Sequence, residues 1–147
     1  MITFNAMKHN FLDIELAFEY VSSDSPPMNS ALLSRKTGRI FHVSEMGDGD
    51  EDVPEDAFES DEYIEIPHKQ DLGLGTELVR RFVRDRAPEH REEVSEIFSR
   101  KGAYARFKSF LEGKGLLEEW YAYENSATEA ALREWCKENE IELAAKD

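Results

Sequence analysis

The chain has 147 residues, with 32 acidic and 18 basic side chains and a formal net charge of −14. Its 40% hydrophobic and 11% aromatic content excludes wholesale disorder, and its length favours a single domain over residues 1–147. No apolar run approaches the roughly 18 residues of a membrane span, the lone Cys136 excludes an internal disulfide, and a pI near 4.7 argues against ordinary binding of a phosphate backbone.

The first predicted element is a helix over residues 10–22. Asn10 is placed to cap it, and Phe11, Ile14, Phe18 and Val21 recur on one face. Ser22–Pro27 reads as a stop and a loop. Ala31–Ser34 and Arg39–Val43 flank a turn in which Gly38 supplies a positive φ, which predicts a β-hairpin. Residues 44–68 then carry eleven acids and no Lys or Arg. Like-charge repulsion and two glycines predict an extended, mobile loop at about 44–62, most of all over Ser44–Ser60. Tyr63–Ile66 alternates in character and is closed by Pro67, the pattern of an edge strand.

From Asp71 the pattern turns helical. Leu74, Leu78, Val79, Phe82 and Val83 form a stripe to about Arg86, and Glu77 and Arg81 stand at i,i+4. Pro88 suits the start of a further helix with Val94, Ile97 and Phe98 on its core face. Gly102 interrupts, and Tyr104, Phe107 and Leu111 restart a helix that Gly113 and Gly115 end. Leu116–Tyr123 reads as an aromatic turn or short helix. Ser126–Glu129 has the form of a capping box opening a last helix, with Leu132, Trp135 and Cys136 on one face and an end near Asn139. The fold class expected is α+β: an N-terminal helix on a small antiparallel sheet of about three strands, followed by a cluster of four to five helices.

Several of these segments resemble a known family. They are Ile64-Glu65-Ile66-Pro67, Arg81-Phe82-Val83, Lys101 to Lys108 (KGAYARFK), Leu116 to Tyr123 (LLEEWYAY) and Trp135 to Asn139 (WCKEN). In order and spacing they are similar to the helical half of uncharacterised protein family 0158, and the resemblance covers most of the chain. It implies a bacterial, cytoplasmic protein and brings no mechanism.

The acidic segment places Asp48, Asp50, Asp52, Asp56 and Glu59 at the liganding spacing of a calcium loop. Val53 stands where the template needs glycine and Glu55 where it needs an apolar residue, so a solvated loop or a docking strip for a basic partner is the better reading. The basic residues concentrate at Arg80, Arg81, Arg84, Arg86, Arg91, Arg100, Lys101, Arg106 and Lys108. A guanidinium face suits phosphate or an acidic partner. The bland alternative is a solvated face balanced by Glu77, Asp85, Glu92, Glu93 and Glu96. A third reading folds the acidic loop back onto this face. Phe107 and Trp120 read as core, whereas Tyr121 and Tyr123 tolerate a surface.

Cys136 lacks a nearby histidine and reads as a buried small hydrophobe. His9, His42, His68 and His90 are scattered and make no zinc spacing. Gly73-Leu74-Gly75 lacks the third glycine of a dinucleotide loop. The expectation is therefore no catalytic, cofactor or metal site, and a non-enzymatic, protein-binding module. Its candidate partner-binding residues are Arg80, Arg81, Arg84, Arg100, Lys101, Arg106, Lys108, Tyr121 and Tyr123. The alternatives are a nucleic-acid or phosphate binder using the Arg80–Lys108 face, an acidic inhibitor or immunity-like protein, and an enzyme whose site carries no familiar signature.

Overall fold

In chain order, a computed structural model of the protein describes residues 8–23, 29–44 and 53–144. Helix α1 (Phe11–Ser22) leads, followed by strands β1 (Asn29–Ser34), β2 (Ile40–Ser44) and β3 (Tyr63–Glu65). Helices α2 (Thr76–Arg86), α3 (Arg91–Ile97), α4 (Ala103–Gly113) and α5 (Leu117–Glu138) complete it. This is the expected α+β architecture. The described residues group into two compact units. One takes the chain up to Leu72 and again from Ala131, and the other takes Gly73–Ala130.

In the first unit, Asn10 caps α1 as its sequence position predicts: its side-chain oxygen accepts from the backbone N–H groups of Leu12 at 2.8 Å and Asp13 at 3.3 Å. The buried face of α1 is Ile14, Ala17, Phe18 and Val21, and the helix packs on β1 and β2. The sheet is antiparallel in the order β2-β1-β3, which leaves β3 at an edge. Gly38, at φ 78°, closes the hairpin between β1 and β2, and its N–H donates to the Ser34 carbonyl at 2.9 Å.

Ala31, Leu32, Leu33 and Ser34 are all buried. Neighbouring residues of a strand face opposite sides, so β1 is covered on both. Part of that cover comes from a segment expected to be extended. Of Ser44–Ser60, residues 45–52 lie outside the described residues, but Pro54–Ser60 is turned. The Ala57 N–H donates to the Pro54 carbonyl at 3.1 Å, and the Glu59 and Ser60 N–H groups both donate to the Asp56 carbonyl at 3.0 Å. Ala57 is buried in a cluster with Leu32 and Phe41, flanked by Val53 and Tyr63. One apolar anchor and local hydrogen bonds outweigh the charge repulsion that counting acids emphasises.

The chain past α5 returns to this unit. The His9 N–H donates to the Glu142 carbonyl and the Ala144 N–H to the His9 carbonyl, both at 2.8 Å. Arg35 Nη1 reaches the Asn139 carbonyl at 2.6 Å.

The chain departs from expectation just before α2 and within α5. Asp71 does not open α2. It lies in a 3-10 turn, Lys69–Leu72, where its carboxylate accepts the His68 N–H at 3.0 Å. Gly73, at φ 67°, then breaks the run, and α2 begins at Thr76. Further on, Ser126–Glu129 does not open a helix, because α5 runs unbroken from Leu117 to Glu138. A capping box serves amides that lack a preceding turn, and here the aromatic segment before it is already helical. Gly102, at φ 74°, sets the entry to α4. The core of the second unit joins Leu78, Phe82, Phe107, Leu111 and Trp120, with Trp120 edge-on to Phe82 and to Phe107, each at 5.2 Å between ring centroids.

Candidate functional site

The arginine-rich region lies within the second unit, and most of its cations are already engaged. Arg84 Nε meets Asp85 Oδ1 at 3.0 Å. That contact holds the Asp85 carboxyl below its usual range and raises Arg84, first through the hydrogen bond. The Tyr123 hydroxyl donates to Asp85 Oδ2 at 3.2 Å, its ring packs edge-on to Phe82, and burial followed by the Asp85 contact pushes its pKa up. Arg81 Nη2 donates to the Gly73 carbonyl at 3.4 Å, Arg86 pairs with Glu119 at 3.5 Å, and Arg100 pairs with Glu96 one turn away at 3.2 Å.

Arg106 is engaged in the backbone. Its guanidinium donates to the carbonyls of Ile97 at 3.1 Å, Arg100 at 3.0 Å, and Lys101. The Ile97 carbonyl ends α3 and the other two belong to the turn after it, so one fork of donors ties the helix end to that turn. Lys101 is exposed in the turn before Gly102. Lys108 Nζ stands 5.8 Å from the centroid of the exposed Tyr121 ring. The nine candidate residues thus divide among several small contacts, and the structure gathers no single face from all of them.

A different selection forms a concave site. Between α2 and α3 lies an open cleft of about 440 Å³, within the size range of ligand sites. From α2 come Thr76, Val79, Arg80 and Val83, spaced i, i+3, i+4 and i+7 on one helix face. From α3 and the turn after it come Arg91, Glu92, Val94, Ser95, Phe98 and Ser99. Val79, Val83 and Val94 are buried and make the floor, while Arg80, Arg91, Glu92 and Ser95 are exposed at the rim. No ion pair or hydrogen bond to another described residue occupies Arg80 or Arg91. Pro88 makes the cleft possible, because it ends α2 and turns the chain through Pro88–His90 into α3.

The partnership of Arg80 with Arg91 is the feature that sequence reading missed. Counting along one helix pairs Arg80 with Arg84, whereas the break at Ala87-Pro88 brings in Arg91. The signal was present in the turn residues and not in the arginine spacing.

Other chemistry is sparser. Among the described residues no three His, Cys, Asp or Glu side chains gather as metal ligands. Asp48, Asp50 and Asp52 of the calcium-like spacing lie outside the described residues, as does the first half of the acidic segment proposed to cover the arginines. Cys136 is buried, and desolvation pushes its thiol up to about 11, the opposite of an activated nucleophile. No helix among the described residues is long and apolar enough to cross a membrane.

A family model described as "Uncharacterised protein family (UPF0158)" matches residues 12–147, so the chain belongs to that family. No curated protein and no solved structure matches it.

Proposed function

We propose that this member of the UPF0158 family is a non-enzymatic, cytoplasmic protein-binding module whose docking surface is the cleft between α2 and α3. The observation that carries the reading is the pair Arg80 and Arg91. They stand unengaged among the described residues at the rim of an apolar floor, while Arg81, Arg84, Arg86, Arg100 and Arg106 are spent on local contacts. Guanidiniums take carboxylates in a fixed fork geometry, and apolar ground beneath them takes a hydrophobic side chain. A cleft of this kind recognises an acidic protein segment with an apolar anchor.

The internal pairing of the arginines disfavours the nucleic-acid reading. A phosphate backbone is tracked by a row of free cations, and here the row is interrupted by internal pairs and by Glu92 at the cleft rim.

The test is affinity capture from a bacterial lysate treated with nuclease, at about 0.1 M salt, where charges in contact still attract. The parent chain is compared with a variant carrying Arg80→Glu and Arg91→Glu. The expected result is a protein retained by the parent and lost by the variant. Retention that survives both reversals, or retention that nuclease abolishes, would overturn the reading.

A further inference from the structure

We infer that the occupant of the α2–α3 cleft is the Pro54–Ser60 turn of a second copy of this chain, with Phe58 as its anchor. The inference rests on the cleft being a protein-docking site and names the partner. Its starting point is an oddity of the first unit. Ala57 is buried against Leu32 and Phe41, yet the next residue, Phe58, is 58% exposed, the most exposed large hydrophobic among the described residues. Glu55, Asp56, Glu59 and Asp61 around it are exposed as well. This exposed ring stands among four carboxylates and is not one of the buried core residues.

The turn is also fixed. Its hydrogen bonds from Ala57, Glu59 and Ser60 and the buried Ala57 hold Phe58 in place, so little chain entropy is lost when it docks. Its pattern of an apolar centre with acids on both sides is the complement of the cleft, where Val79, Val83 and Val94 lie below Arg80 and Arg91. Glu92 at one rim excludes a carboxylate there and so restricts the orientation of the incoming turn. Two copies can exchange turn and cleft reciprocally as a closed dimer, or copies can add head to tail; in either case association grows with concentration.

The net charge of −14 repels copies at long range. The experiment therefore uses about 0.1 M salt, where the screening length is about 10 Å and contact pairs persist. A fluorescently labelled full chain carrying Arg80→Glu and Arg91→Glu, which keeps the turn, is titrated with the parent chain, which offers the cleft. It is expected to bind saturably, and about tenfold or more weakly when it also carries Phe58→Ala, the effect of withholding one buried ring. A titrant carrying the same two charge reversals is expected not to bind it. In sedimentation, the mean mass of the parent is expected to rise with concentration, and that of the Phe58→Ala chain to stay at one copy; Phe58 is exposed, so this variant keeps its fold.

A labelled chain that does not bind the parent, or that binds equally without the Phe58 ring, overturns the inference. So does a parent chain that stays monomeric throughout. If the lysate experiment still retains a protein through Arg80 and Arg91, the docking reading survives and only the second copy is wrong. If both fail, the cleft is not a docking site.

Discussion

His9 shows how one side chain carries a consequence that composition hides. Its backbone clasps Glu142 and Ala144, and its imidazole is buried. Burial, and then the nearby Arg35 cation, lower its pKa below 6.5. The unfolded chain therefore takes up the proton at a higher pH than the folded one. Stability from this group is complete above pH 6.5 and is lost as the pH falls from there through the folded value. Denaturant titrations at about pH 7.5 and about pH 5.5 should show a smaller loss for His9→Gln than for the parent; equal losses would refute the assignment. Phe107 and Trp120 were legible as core because aromatic residues at helical spacing rarely have another use. The burial of His9 was not legible, because its cover comes from residues more than a hundred positions away.

Elements were read well where a local rule acts alone. Asn10 caps α1, Gly38 closes the hairpin and Gly102 opens α4, each a matter of a few neighbouring dihedrals. They were misread where one local rule overrode another. The capping box at Ser126 is overruled by helix already propagating from Leu117, since continuing a helix costs less than nucleating one. The other end of α5 holds a strained position. Glu140 adopts φ 57°, and the Ile141 N–H reaches back to the Cys136 carbonyl at 2.8 Å, the helix stop in which glycine is usual. Glu140→Gly should therefore stabilise the chain, by about 0.5–1 kcal/mol. Thermal or denaturant unfolding measures it, and a destabilised variant would contradict the strain.

For the whole molecule, the charge of −14 is a matter of distribution. Eleven acids without a Lys or Arg fall in residues 44–68, whereas 69–114 hold eleven bases against eight acids. At neutral pH the excess keeps copies apart, and complementary contacts form only once salt screens the long-range term. As the pH approaches 4.7 that repulsion vanishes, so turbidity should pass through a maximum there. A maximum displaced well above that value would mean that the basic region associates before the net charge is neutralised.

Sequence alone determined the fold class, the span of α1, the place and turn of the hairpin though not its strand ends, and most of the core, because hydrophobic period and turn chemistry act between neighbours. It also placed the chain in its family. Tertiary structure decided which arginines are free. Arg84, Arg100 and Arg106 look equivalent to Arg80 in a list of cations. A guanidinium's availability depends on which carboxylate or carbonyl the fold sets within about 3 Å of it, and such distances are fixed by packing. The same holds for Phe58. Acid count predicts an extended, mobile loop around it, whereas the burial of Ala57 accompanies a turned segment that leaves the ring outward.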